Sequence, residues 1–312
     1  MGEEDKIHKL LVVGLDQAGK TSILNILNEK YNLMDSIKPT VGVERDRINI
    51  LGIPIVSWDL GGQKQFRDNY LKNTRLFEKT DSLFYVIDVW NGTRFEESLE
   101  YYSQILELID KLTMRPNIVI LLHKVDPNLR DNPKTDQILE NLRKLFQEES
   151  EGYEISVYAT SIFDRKSIIE AFSKNLQEII TTLKPFKKLL KSTIILLKLD
   201  AAILFDENLM ILSDVYKDKE TEDVCLNTVY NSVYYMTYQN PKLAASDDFI
   251  TNFELVLGVK NVQKKFTFME AKFRGWDLYL LTMTDKEKEV DPDAISAKFK
   301  AMAHIFEKKE SF

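Results

Sequence analysis

The feature that most constrains this chain is a glycine-rich stretch that joins an apolar strand pattern to a helical one. Lys9–Val13 is typical of a buried strand, and Ser22–Asn28 shows helical spacing. The intervening residues 14–21, GLDQAGKT, fit the P-loop pattern G-x-x-x-x-G-K-[ST] in its required strand–loop–helix setting. Such a loop turns backbone N–H groups toward phosphate oxygens, and the helix N-terminus adds partial positive charge. The predicted phosphate site comprises Asp16, Gln17, Ala18, Gly19, Lys20, Thr21 and Ser22.

Two side chains at the end of this loop carry the chemistry. Lys20 can reach the β- and γ-phosphates, so we predict that it serves both binding and catalysis. The Thr21 hydroxyl can ligate Mg²⁺. The loop therefore predicts a nucleoside triphosphate with magnesium as the bound group.

A second motif follows a strand pattern that ends in an acid. Gly52–Leu60 reads as that strand, and it carries Asp59 into a D-x-G-G-Q signature that closes with Gly62 and Gln63. We expect Asp59 to hold magnesium through water and the Gly62 N–H to face the γ-phosphate. Gln63 would orient the attacking water, the role that the corresponding glutamine has in Ras. An ordinary loop amide is the alternative for Gln63.

The segment between these motifs contains a candidate third magnesium contact. Lys38–Gly42, with the sequence KPTVG, lies in a polar loop between the first helix and the next strand. There Thr40 is placed to close over the γ-phosphate and Mg²⁺, as an ordered switch loop does. The predicted metal set is therefore Thr21, Thr40 and Asp59.

A tetrapeptide at the end of another strand pattern is predicted to recognise the base of the nucleotide. Asn117–Leu122 is a buried parallel-strand pattern, and the HKVD sequence follows at the edge where open α/β sheets bind ligands. Asp126 would accept hydrogen bonds from two guanine N–H donors, and the Lys124 stem would cover the base. The usual guanine-reading tetrad is N-K-x-D, and His123 stands in place of its asparagine. The ring N–H of His123 could tie this loop to the P-loop. Alternatively, His123 could be an incidental histidine at the end of a strand.

A second base-contacting loop is predicted after the next strand pattern. Ile155–Ala159 reads as a strand, and it leads to Ser161 and Ile162, which complete the predicted guanine site. This assignment depends on its position behind the other motifs.

These motifs also carry a family resemblance. GLDQAGKTS, PTVG and WDLGGQ resemble an Arf-type small GTPase, whereas the sequence from WDLGGQ to YVIDV, then HKVD, TSIFD and AAILFDENLMILSDVY, resembles the Rag/Gtr family. The resemblance covers nearly the whole chain. It implies a GTP/GDP switch that works as a homo- or heterodimer, binds roadblock-domain scaffolds, and depends on an activating protein (GAP) and an exchange factor. It also implies nutrient or growth signalling at an endomembrane, reached through partners.

The predicted fold class is α/β: a P-loop small GTPase domain with a mostly parallel sheet at 1–184, then an α+β roadblock-type dimerisation domain at 185–312. The second half shows the order α-β-β-α-β-β-β-α and no cluster suited to catalysis. Its predicted elements are a helix over 186–197, a hairpin of 202–205 and 209–213, a helix over 220–239, strands over 249–258, 265–273 and 278–284, and a closing helix over 292–308.

Composition excludes several classes of partner. The net charge of −7 argues against a protein that coats nucleic acid. The lone Cys225 indicates a reducing, cytoplasmic location, and no apolar run approaches the ~20 residues of a membrane span.

No arginine stands in an obvious place to act as an internal finger, so we expect slow intrinsic GTP hydrolysis. A monomeric Arf-like trafficking GTPase and a scaffold that holds GTP without hydrolysing it are the alternatives.

Overall fold

The computed structural model describes residues 7–27, 42–50, 53–206, 209–234, 252–259, 262–273 and 276–287, together with residues 294, 297 and 301. The chain divides into two compact units, of which the first runs to Asn175 and the second starts at Leu176. The domain boundary expected between 184 and 185 stays a prediction. In the described part, no helix is long and apolar enough to cross a membrane.

The first unit is built on a six-stranded sheet. Its strands are β1 (His8–Val13), β2 (Val43–Ile50), β3 (Ile53–Leu60), β4 (Ser82–Asp88), β5 (Asn117–His123) and β6 (Ile155–Thr160). They lie in the order β2-β3-β1-β4-β5-β6. β2 pairs antiparallel with β3, and the other neighbours are parallel. All five parallel strands thus deliver their carboxyl ends to one edge, where ligands bind in such sheets.

Helices alternate with these strands: α1 (Lys20–Leu27), α2 (Lys64–Lys72), α3 (Phe95–Lys111), α4 (Pro133–Glu149) and α5 (Arg165–Ile179). The central strand β4 shows why both sheet faces are covered. Phe84 stacks on Phe172 of α5 with ring centroids 4.1 Å apart. Tyr85 points to the opposite face and packs against Tyr102 of α3 and Phe146 of α4 at 5.0 and 5.6 Å. Successive strand side chains point to opposite faces, so both layers of helices are anchored on β4.

The second unit is α+β. After α6 (Lys184–Leu197) come β7 (Ala201–Phe205), β8 (Ile211–Tyr216), α7 (Lys219–Val224), α8 (Asn231–Tyr234), β9 (Asn252–Val259), β10 (Val262–Phe273) and β11 (Trp276–Asp285). The strands form one antiparallel sheet in the order β8-β7-β11-β10-β9. Aromatic side chains fill its core: the ring centroid of Phe268 lies 5.2 Å from that of Phe253 and 5.4 Å from that of Tyr279. The mostly parallel sheet followed by this antiparallel unit confirms the predicted fold class, and the second unit is consistent with a roadblock-like domain.

Two local predictions for the second unit need correction. The helix expected over 220–239 is interrupted by a π-helical turn, Cys225–Tyr230. A π turn brings residues five apart onto one face, and Cys225 and Tyr230 are indeed both buried. The helix expected over 186–197 begins at Lys184, with Pro185 in its first turn, where proline costs no hydrogen bond.

The remaining expectations for this unit match the described residues. The hairpin and the three later strands are present, with ends shifted by at most three residues. Of the closing helix expected over 292–308, residues 294, 297 and 301 are described, and all three are helical. Residues 207–208 and 235–251 lie outside the described part of the chain.

Candidate nucleotide site

The P-loop is the turn between β1 and α1. Gly19 has a φ of +102°, and a Cβ built there would lie 2.5 Å from Cδ2 of the His123 ring. Any side chain at this position would therefore be strained by the backbone and would displace a buried ring. Gln17 also has a positive φ, 62°, and is exposed, whereas Ala18 is buried. Ser22 follows Thr21 in the first turn of α1 and is half-buried.

Lys20 is buried inside the loop that it closes. Its ammonium donates to the carbonyl oxygens of Leu15 at 2.9 Å and Gly14 at 3.2 Å. Burial lowers the pKa of Lys20 to about 8, against the opposing effect of the Asp59 and Asp16 carboxylates. A phosphate bound in the loop would add negative charge beside this ammonium and so favour its charged form.

The two described metal candidates meet at the carboxyl ends of β1 and β3. The Thr21 hydroxyl donates a short hydrogen bond to the Asp59 carboxylate. Asp59 is 3% exposed. A hydroxyl and a carboxylate are hard oxygen donors of the kind that Mg²⁺ prefers alongside waters and substrate phosphates, so these residues fit the ion. Thr40, the third predicted metal contact, lies outside the described residues.

The D-x-G-G-Q segment lies directly against the P-loop. The Asp16 amide donates to the Gly62 carbonyl at 3.1 Å. A Cβ on Gly62 would lie 2.2 Å from the Asp16 nitrogen, so glycine is required by the close backbone approach. Gln63 precedes the first turn of α2, and its amide oxygen accepts from the Gln65 side chain at 3.2 Å.

The segment before β2 is also tied to α2. The Gly42 carbonyl accepts from the Gly61 amide at 3.0 Å and from the Tyr70 hydroxyl at 2.7 Å. Gly42 is the described residue of the KPTVG motif. Tyr70 is a contact that the sequence pattern did not single out, although it lies within the WDLGGQ-to-YVIDV stretch.

The predicted base-reading residues come together where β5 and β6 end. The Ser161 hydroxyl donates to the Asp126 carboxylate at 2.6 Å and accepts from the Phe163 amide at 3.0 Å. This fixes one carboxylate oxygen of Asp126 on a buried serine. Ile162 lies between Ser161 and Phe163 and is half-buried.

Lys124 is held in a strained and well-anchored conformation. Its φ is +71°, which is unusual for a residue with a side chain and is typical of functional loops. Its ammonium pairs with Asp88 at 2.7 Å, and its carbonyl accepts from the Trp90 indole at 2.8 Å. The sequence analysis identified neither Asp88 nor Trp90 as a partner of Lys124. The one available signal was Asp88 itself, the acid that ends the VID strand pattern.

His123 lies between the base loop and the P-loop. It is 2% exposed, and its Nδ1 is 3.0 Å from the Thr160 hydroxyl. Burial, and next the neighbouring Lys124 charge, lower the pKa of His123 to about 4, so the ring is neutral at pH 7. With its Cδ2 edge against Gly19, the ring packs between the two loops.

An arginine that the sequence motifs did not single out lies beside the P-loop. Arg94 precedes α3 and donates to the Asp16 carboxylate at 2.9 Å and to Glu97 at 2.7 Å. Arg94 follows Asp16 by 78 residues, so local sequence gave no signal for this contact.

Comparison with known proteins decides the family. Residues 9–235 match the family model described as the Gtr1/RagA G protein conserved region. The chain belongs to this family. It is 25% identical over 221 residues to Ras-related GTP-binding protein A of Dictyostelium discoideum, which covers 69% of this chain and 72% of that protein. Over 221 residues it is 30% identical to GTP-binding protein GTR2 of Saccharomyces cerevisiae, covering 69% of this chain and 62% of that protein.

Arf-like proteins also match this chain, over a shorter stretch. ADP-ribosylation factor-like protein 3 of Chlamydomonas reinhardtii is 39% identical over 111 residues, 36% of this chain and 59% of that protein. The Gtr1/RagA match extends much further along the chain. Membership of a family of GTP-binding switch proteins makes GTP and GDP the expected ligands.

Proposed function

We propose that this chain binds GTP with Mg²⁺ and hydrolyses it to GDP, and so works as a switch. One observation carries the proposal: residues from separate motifs meet along a single sheet edge. Lys20, Thr21 and Asp59 meet at the ends of β1 and β3, while Asp126 and Ser161 meet at the ends of β5 and β6. We propose that this one edge binds both the phosphates and the guanine base.

At the phosphate end, the Lys20 ammonium would exchange its carbonyl partners for β- and γ-phosphate oxygens. Thr21 and Asp59 would hold magnesium, which when bound neutralises charge on the phosphates. The backbone amides of residues 16–22 and the Gly62 N–H would surround the remaining oxygens. Thr40 stays the predicted third contact to the ion.

At the base end, Asp126 would accept from the two guanine N–H groups while Ser161 holds its carboxylate in place. The Lys124 stem would cover the base, with its ammonium fixed by Asp88. Ile162 is proposed to line the same pocket. The neutral His123 ring would keep the base loop and the P-loop at a fixed distance.

Hydrolysis would transfer the γ-phosphoryl group to water, oriented by Gln63. In the structure that amide is bonded to Gln65, so reorientation by an activating protein would be needed, and intrinsic turnover would be slow. Single-turnover GTP hydrolysis tests this with Gln63→Leu and the matched control Gln104→Leu, which changes an exposed glutamine of α3. We expect Gln63→Leu to keep GTP affinity within a few-fold and lose turnover. Unchanged turnover in Gln63→Leu would refute the role of Gln63 in orienting water and favour another residue for it. If the wild type showed no turnover even with an activating protein, a scaffold that holds GTP would be favoured instead.

We further propose that the second unit mediates pairing, with a copy of this chain or with a sister GTPase. Its antiparallel sheet ends in β8 and β9, and strands at a sheet edge offer unpaired backbone groups to a partner. Roadblock-domain scaffolds at an endomembrane, an activating protein and an exchange factor complete the proposed setting in nutrient signalling. Light scattering on the full chain, alone and mixed with sister GTPases or roadblock proteins, tests this; a monomer in every mixture favours an Arf-like solitary GTPase.

A further inference from the structure

A chain of ion pairs in the first unit connects the P-loop to α2 and α3. The Arg94 Nη2 donates to Asp16 Oδ1 at 2.9 Å. The same guanidinium forms a two-point contact with Glu97, from Nε to Oε2 at 2.7 Å and from Nη2 to Oε1 at 3.1 Å. Glu97 Oε1 also accepts from Arg67 Nη2. The pairs therefore run in the order Asp16, Arg94, Glu97, Arg67.

The members come from three different segments, and their exposure to solvent differs: Arg67 is buried, whereas the Glu97 side chain is 38% exposed. Arg67 belongs to α2, is 7% exposed at its side chain and lies over the Tyr101 ring. The side chains of Arg94 and Asp16 are 27% and 31% exposed. Hydrogen bonds, first from Arg94, lower the pKa of Glu97 to about 2, so this residue stays charged at any physiological pH.

Asp16 occupies a sensitive place in the site. Its amide is bonded to the Gly62 carbonyl, and Gly62 is the residue proposed to face the γ-phosphate. Its carboxylate also acts on the Lys20 ammonium, whose pKa it raises against the effect of burial. A carboxylate in this place without a partner would repel the extra charge of GTP more than it repels GDP.

We propose that Arg94 is a positioning residue that neutralises Asp16 and thereby sets the preference for GTP over GDP. Glu97 holds the Arg94 guanidinium in place and is itself paired with Arg67. The inference rests on the proposed nucleotide binding. It assigns a role in discriminating the two nucleotides to a residue outside the nucleotide-binding motifs.

The test is the ratio of GTP to GDP affinity in the full chain. A non-hydrolysable GTP analogue and GDP each displace a fluorescent GDP analogue in the presence of Mg²⁺, for wild type, Arg94→Ala and Arg94→Lys. We expect Arg94→Ala to weaken the GTP analogue about tenfold relative to GDP, which corresponds to about 1.4 kcal/mol. Arg94→Lys, which keeps the charge, should recover most of the ratio.

Two further variants separate charge from structural damage. Asp16→Asn combined with Arg94→Ala removes the charge that Arg94 compensates, so the ratio should return to the wild-type value. Arg115→Ala is the matched control, because Arg115 pairs with Asp110 and Tyr153 at an exposed place on the same unit. It should leave the ratio unchanged. Arg94→Gln repeats the test with a longer polar side chain should Arg94→Ala fail to fold.

The outcomes are distinguishable. Equal weakening of both nucleotides in Arg94→Ala, or no rescue by Asp16→Asn, would overturn the inference and leave the proposed function intact. Wild-type protein that bound neither nucleotide would overturn the proposed function, and this inference with it.

Discussion

The neutral His123 ring predicts a measurable loss of stability in weak acid. Its pKa is about 4 in the folded protein against an ordinary value of 6.5. The unfolded chain therefore takes up this proton first as the pH falls. The contribution of the neutral His123 ring to the free energy of unfolding is complete above pH 6.5 and is lost progressively as the pH falls toward 4. Between pH 7 and pH 5 these two values give a loss of about 2 kcal/mol from this residue alone.

The assay is urea unfolding at pH 7 and pH 5, with wild type compared with His123→Asn at one fixed concentration of Mg²⁺ and GDP. Asparagine does not titrate, and it restores the usual N-K-x-D tetrad. Carboxylates contribute equally to both proteins, so the difference between the two pH-dependent losses isolates the histidine. We expect wild type to lose about 2 kcal/mol more than the variant. Equal losses in the two proteins would refute the account of a buried, neutral ring.

Three further predictions follow from single contacts. Gly19→Ala should abolish nucleotide binding, because its Cβ would lie 2.5 Å from the His123 ring. Gly152 also has a positive φ but faces open space, so Gly152→Ala should lower the free energy of unfolding by only about 1 kcal/mol in an unfolding titration. Thr21→Asn should favour GDP or the empty protein in a nucleotide-content assay, and GTP retention equal to wild type would exclude Thr21 as the metal ligand. Cys225 is buried with its pKa raised to about 12, so a thiol reagent should label it only in denaturant; fast labelling of native protein would contradict that burial.

Local motifs predicted where several of the candidate site residues lie in the fold. Lys20, Thr21 and Asp59 could be placed because strand–loop–helix patterns fix where each strand ends. The partners of these residues could not be predicted in the same way. Asp16 and Arg94 are 78 positions apart, and Asp88 and Lys124 are 36 apart, so their contacts exist only once the sheet order is set.

The second unit shows a different limit of sequence reasoning. Its strands were predictable from runs of apolar residues, because a strand needs only a short pattern. The π turn at Cys225–Tyr230 was not, since apolar residues five apart look like a slightly irregular α-helix. Tertiary burial of both Cys225 and Tyr230 selects the wider turn.

The most direct test of the central claim is the affinity of the full chain for GTP and ATP, measured by competition, beside Asp126→Asn. Asp126 would leave two polar contacts unmatched on adenine, each worth about 1–3 kcal/mol, so GTP should bind at least about thirtyfold more tightly than ATP. Asp126→Asn should shift the preference from guanine toward xanthine nucleotide. Equal affinity of the wild type for GTP and ATP would contradict the guanine site and, with it, the proposed GTP switch.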